Sequence, residues 1–149
     1  MSWLPVVTIV TVGLMVGVEL AVASVVNPIA DRLPDNAGVV ARREAARRLG
    51  RVMPFWYIGS VLLTAGTALT LPARGTGVAP AWVAAALLAI SIVLSVALLV
   101  PINNRSKDWT PTTAPVDWRQ QLRRWDRLHG GRLVLIVAAF VLVVVAVAR

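Results

Sequence analysis

An all-α fold, a transmembrane four-helix bundle with amphipathic helical extensions before the second and fourth spans, is what three features of the sequence predict. Hydrophobic residues make up 58% of the 149 residues and charged residues only 15%, against a usual ~45–50% and ~25%. A soluble globule of this size could not bury so much apolar surface, and mean hydropathy is +0.75, so lipid is the expected solvent. The apolar residues also gather into four stretches close to the ~17–25 residues that carry a helix across ~30 Å of hydrocarbon. Finally, the basic residues cluster between particular stretches and leave the others nearly bare. One domain covering residues 1–149 accommodates all four.

The spans run from about Pro5 to Val26, Pro54 to Leu71, Pro80 to Ile102 and Leu133 to Ala148. Lipid offers no partner to a free backbone amide, so continuous apolar stretches of this length must be helical. Pro5, Pro54 and Pro80 suit a first helical turn, where the missing N–H costs nothing, while Pro28 and Pro101 fall near the ends of spans one and three. The leading segment has no basic residues, and its apolar stretch exceeds the ~7–15 residues of a signal-peptide core. Span one is therefore expected to stay in the mature chain. Its Gly13, Gly17 and Ala21 form a small-residue stripe suited to close helix packing.

Between spans one and two lie Arg32, Arg42, Arg43, Arg47, Arg48 and Arg51, and between spans three and four lie Arg105, Lys107, Arg119, Arg123, Arg124, Arg127 and Arg132. Only Arg74 and Arg149 fall on the other side. The positive-inside rule puts segments 27–53 and 103–132 in the cytoplasm and both termini outside, as a multi-pass protein of the cell membrane. The net charge of +8 then belongs to solvated flanks and argues against nucleic acid as a partner. Zero cysteines exclude disulfides, thiolate metal sites and cysteine nucleophiles.

Both basic segments carry helical patterns. Asn36 suits an N-cap for a helix over Ala37–Arg51. Asp117 with Gln120 reads as a capping box opening a helix at Trp118. From there Trp118, Leu122, Trp125 and His129 share one face and Arg119, Arg123 and Arg127 another. This helix is expected to run into span four through a flexible joint at Gly130–Gly131. Spans one and three both end in Asn and Pro before an arginine-rich helix, a faint two-plus-two repeat.

Chemistry has few places to sit. Glu19 is the one ionisable residue within a span, and such residues face the bundle interior or a wet cavity. Its readings are a proton acceptor, the polar floor of a pocket, or a neutral packing residue. Asn27, Trp56, Tyr57, Asn103, His129 and Arg132 all fall at the arginine-rich end, so four helices bring amide, phenol, imidazole and guanidinium groups to one depth. At ~1.5 Å per residue, Glu19 lies ~12 Å deeper than Asn27 and could close that hollow. Interfacial anchoring accounts for Trp3, Trp82 and Trp109 but less well for His129, which sits on the apolar face. An imidazole with its ordinary pKa near ~6.5 exchanges protons at cellular pH without tuning.

The run Arg124-Trp125-Asp126-Arg127-Leu128-His129-Gly130-Gly131-Arg132, preceded by Pro101-Ile102-Asn103, resembles the anthrone-oxygenase-like family of small four-helix membrane proteins. The positions carrying the resemblance are Pro101, Asn103, Arg124, Trp125, His129 and Arg132. It implies oxidation of an apolar, polycyclic phenol of the anthrone type by O2, without metal or flavin. In that reading His129 is the base, and Arg132 and Arg124 stabilise anionic intermediates. Asn103 and Asn27 orient substrate oxygens, Trp125 and Trp56 stack on the polycycle, and Tyr57 and Glu19 complete the binding site. Membrane lipids and a homo-oligomer are further partners the sequence allows. Two alternatives stand beside this one: haem held by His129 as axial ligand, and a non-enzymatic scaffold whose arginines hold acidic lipids at ~1 kcal/mol each.

Overall fold

The structure is a computed structural model that describes residues 3–34, 36–73 and 75–148. Four helices are long and apolar enough to cross a membrane: α1 (Leu4–Asp31), α2 (Ala37–Thr70), α3 (Val78–Ser106) and α4 (Trp118–Ala148). They form a ring in which α1 packs on α2, α2 on α3, α3 on α4 and α4 back on α1. No strand occurs among the described residues. Arg74 and Arg149, the two basic residues set apart by the sequence, lie outside them.

The helices overrun the expected spans because the basic extensions join them without a break. Pro54 therefore stands inside α2 and does not open a helix there. The turn around it loses one backbone hydrogen bond, a loss tolerated in membrane helices when neighbouring groups satisfy the freed carbonyl. Gly130 and Gly131 likewise sit within unbroken α4, so the expected joint is absent. The glycines lie between His129 and Arg132, both buried, and the contacts of these two hold the helix unbroken through the pair. Asn36 precedes α2 in a left-handed conformation (φ 60°) and makes no side-chain cap. At the start of α4, Gln121 rather than Gln120 reaches back, its Nε2 donating to Asp117 Oδ1 at 3.1 Å.

Pro28 and Pro101 deform their helices in the same way. A proline has no N–H to give and its ring crowds the carbonyl four residues earlier. Residues Val22–Val26 and Ser95–Leu99 open into π-helical turns, and each proline is the second residue beyond its turn. The Asn27 N–H then donates to the Val22 carbonyl, and the Val100 N–H to the Ser95 carbonyl. The loosened turns are braced by Ser24 Oγ donating to Leu20 O and Ser95 Oγ donating to Ser91 O, both at 2.6 Å.

Each of α2 and α4 turns one helical face into the core. Tyr57, Ser60, Thr64 and Thr67 are buried along α2. His129, Arg132, Ile136 and Ala139 are buried along α4 at the same spacing. Met15, Val16, Leu88, Ile136 and Val143 fill the centre of the ring. A polar seam between α1 and α2 joins Thr8 Oγ1 to Thr67 Oγ1 at 2.8 Å, the kind of hydrogen bond that glues helices in lipid. The small-residue stripe acts only at Gly13, which faces the Phe140 ring. Gly17 has open space where a Cβ would sit.

Candidate active site

Two polar tiers occupy the arginine-rich half of the bundle. The inner tier is centred on Glu19, which is buried on α1. Its Oε1 accepts from the Tyr57 hydroxyl at 2.6 Å, and its Oε2 accepts from Arg132 Nη2 at 2.6 Å. Arg132 also donates from Nη1 to Ser95 Oγ at 2.7 Å and lies 5.0 Å from the Tyr57 ring centroid. The π-turn places Ser95 there, so the distortion caused by Pro101 serves the guanidinium directly.

His129 completes this tier and is 1% exposed. Its Nε2 lies 3.3 Å from the Glu19 carbonyl oxygen, which can only accept, so Nε2 carries a proton. Nδ1 then has its lone pair free to accept from Arg132 Nη2 at 3.0 Å. If Nδ1 gains a proton, Glu19 Oε2 is 3.2 Å away to receive it as a hydrogen bond. The ring therefore sits between a cation that favours its neutral form and a carboxylate that favours its charged form. Trp125 stacks on it with centroids 4.7 Å apart and planes 13° apart, which fixes the plane of the imidazole.

The outer tier is built on Asp126, whose Oδ1 accepts from Asn27 Nδ2 at 2.8 Å and from Arg42 Nη2 at 2.7 Å. The single depth expected from the sequence is thus two. Glu19 is no distant floor but touches His129 and Arg132, while Asn27 pairs one turn earlier along α4. The long Arg132 side chain and the π-turns, invisible to counting at a fixed rise per residue, account for the difference.

The remaining sequence candidates divide between the tiers and the surface. Asn103 lines a small outer cavity with Asn27, Arg42 and Trp125, away from the inner tier. Trp56 gives its indole N–H to the Thr11 carbonyl at 3.0 Å and so ties α2 to α1. Arg124 is exposed. Sequence reasoning missed Ser95, Arg42 and Asp126. Arg42 read as one more arginine on a basic helix, and Asp126 was the acidic member of the very run that attracted notice.

A cavity of about 200 Å³ opens between α3 and α4, walled by Leu94, Leu98, Leu99, Leu128 and Gly131, with Arg127 and Arg132 as its polar members. Arg132 Nε is buried and has no hydrogen-bond partner among the described residues. His129 borders neither cavity. It borders no cavity that could take a macrocycle and both its nitrogens already have partners, so the axial-ligand alternative does not fit. No group of three or more His, Cys, Asp or Glu among the described residues could hold a metal ion.

In comparison with known proteins, the family model described as anthrone oxygenase matches residues 43–142. That stretch includes Asp126, His129, Arg132 and the π-turn at Ser95, and stops short of Glu19 and Asn27. Neither a curated protein nor a solved structure matches the chain.

Proposed function

The chain belongs to the anthrone oxygenase family, and from that footing we propose that it takes a flat, apolar phenol of the anthrone type out of the bilayer and oxidises it with O2. The observation that carries this reading is Arg132, a buried arginine with an unpartnered Nε, which lines a mostly leucine-walled cavity together with Arg127. An apolar substrate partitions into lipid before it meets any protein, and O2 does the same, so a cavity between helices receives both. Its volume, about 200 Å³, is below the ~300–1,000 Å³ of a typical ligand pocket. A polycycle would enter by one edge and keep the rest against the leucines and lipid tails.

The chemistry needs a base and an anion holder. The methylene of an anthrone is acidic because its conjugate base is an aromatic enolate. Arg132 stabilises that enolate oxygen in a site of low dielectric. His129 borders neither cavity, so it acts only once the guanidinium turns toward the substrate's carbonyl oxygen and uncovers Nδ1; the imidazole then takes the methylene proton as the enolate forms. Glu19, 3.2 Å from Nδ1, holds the resulting imidazolium. The enolate then passes electrons to O2, the peroxide formed at the former methylene carbon takes the proton back from the imidazolium, and loss of one water leaves the second quinone carbonyl. Tyr57 and Ser95 keep Glu19 and Arg132 aligned, and Trp125 fixes the imidazole plane. By the positive-inside rule, segments 27–53 and 103–132 lie in the cytoplasm, which sets the cavity just beneath the inner leaflet's headgroups.

Oxygen uptake by the purified protein on a model anthrone, with an anaerobic control, tests the assignment. Wild type should accelerate O2 consumption with formation of the quinone. His129→Ala and Arg132→Gln should each lose at least ~100-fold, the scale of a general base or an oxyanion donor. A wild-type rate in His129→Ala removes the histidine from the mechanism, and one in Arg132→Gln removes the cavity.

A further inference from the structure

The outer cavity contains donors that the oxygenase reading leaves unused. It measures about 50 Å³, is half-open, and lies where the ends of α1 and α3 meet the extensions of α2 and α4. Arg42 is 6% exposed, and its Nη1 has no hydrogen-bond partner among the described residues. Trp125 lines the same cavity, and its buried Nε1 is equally unpartnered. A buried N–H left without an acceptor costs stability, so two such donors on residues that line one small cavity point to an acceptor that belongs beside them. The carboxamides of Asn27 and Asn103 stand beside them.

Charge narrows the chemistry of that acceptor. Arg42 already meets Asp126 at 2.7 Å, so its positive charge is answered and an anion would face the same carboxylate. What the two N–H groups lack is a neutral oxygen with lone pairs. Size narrows it again. A water molecule's share of liquid volume is ~30 Å³, so the cavity admits one carbonyl head and no ring. The remainder of such a molecule would lie against apolar lining residues such as Val22, Ala45 and Leu49.

We infer that this cavity is a second binding site, one that seats the neutral carbonyl oxygen of an amphiphile between Arg42 Nη1 and Trp125 Nε1. The same chemistry is offered by the ester carbonyl of a bilayer lipid and by the ketone of a lipophilic polycycle. Because Trp125 stacks on His129, an occupant would be coupled to the inner tier through that ring.

The indole N–H of Trp125 reports occupancy directly. The full-length protein, ¹⁵N-labelled at its tryptophans, is prepared in dodecyl maltoside, a detergent without carbonyls, and the Trp125 resonance is assigned with Trp125→Phe. Three additions follow without turnover: ester-linked phosphatidylcholine, its ether-linked analogue, and anthraquinone. We expect the Trp125 N–H to move downfield with ester lipid, with anthraquinone or with both, and to stay in place with the ether lipid. The arm that responds identifies the source. In Arg42→Gln the apparent affinity should fall ~5-fold or more, the worth of one hydrogen bond. A resonance fixed in all three arms, or displaced as far by the ether lipid, overturns the proposal from wild type alone. Neither result bears on oxygen uptake, so this site and the oxygenase reading fail separately.

Discussion

Tyr57 and Ser95 touch neither cavity by themselves, yet they decide what Glu19 and Arg132 can do. A carboxylate and a guanidinium taken out of water stabilise a fold only when their remaining hydrogen-bonding positions are filled. The phenol and the hydroxyl fill two of them here. Tyr57→Phe should lower stability by ~1.5–3 kcal/mol, the usual worth of a hydrogen bond to a charged group. Glu19→Gln strands Arg132 and should cost ~3–5 kcal/mol, as when one partner of a buried pair is removed. Helicity followed through an SDS titration in mixed micelles reads both, and a smaller loss for Glu19→Gln than for Tyr57→Phe would contradict the ion pair. Arg124→Ala, at an exposed position, should leave stability and oxygen uptake unchanged. Residue types told the sequence reader which side chains were costly to bury, so Glu19, His129 and Arg132 were legible. Ser95 was not, because a serine in a membrane helix bonds its own backbone as a matter of course and its second partner depends on a three-dimensional turn.

Among elements, the two π-turns and the uninterrupted α2 and α4 are what the sequence hid. Proline was read through its preference for first turns, which held for Pro5 and Pro80 near the starts of α1 and α3. At Pro54 the same preference misled, since a membrane helix carries on through one missing hydrogen bond. Helix existence was plain because lipid permits little else; helix boundaries and wide turns rest on contacts between elements. Glycines show the same contrast. A Cβ on Gly38 would lie 2.5 Å from the Ala30 carbonyl oxygen, where the end of α1 meets the start of α2. Gly38→Ala should therefore destabilise by ~1–3 kcal/mol, the usual cost of overpacking. Gly17→Ala, into open space, should be neutral or gain ~0.5–1 kcal/mol. The same titration compares them, and equal effects would show that the α1–α2 corner is looser than described.

For the molecule as a whole, fold class and family were both accessible in advance, since hydropathy counts spans and the Trp125 to Arg132 run carries the resemblance. The two-tiered interior was not, because it depends on how four helices rotate about their axes. Orientation is open to direct test, and zero cysteines make the experiment clean. A single cysteine replacing Lys107 should react with a membrane-impermeant maleimide only after cells are opened, whereas one replacing Gly75 should react in intact cells. The reverse pattern would invert the protein in the membrane and put both cavities under the outer leaflet.

The matched wide turns, each two residues ahead of its proline, are what the duplication of one helical hairpin would leave behind. A hairpin of two helices cannot enclose anything alone, but two copies related by a twofold axis along the bilayer normal close a ring with twin hollows. Fusing such copies into one chain releases each from having to be identical to the other. One half could then settle on the phenol and hydroxyl at Tyr57 and Ser60, while its sibling acquired the imidazole and guanidinium at the corresponding depth. The buried polar interior would, on that view, be the asymmetric remnant of a symmetric pair.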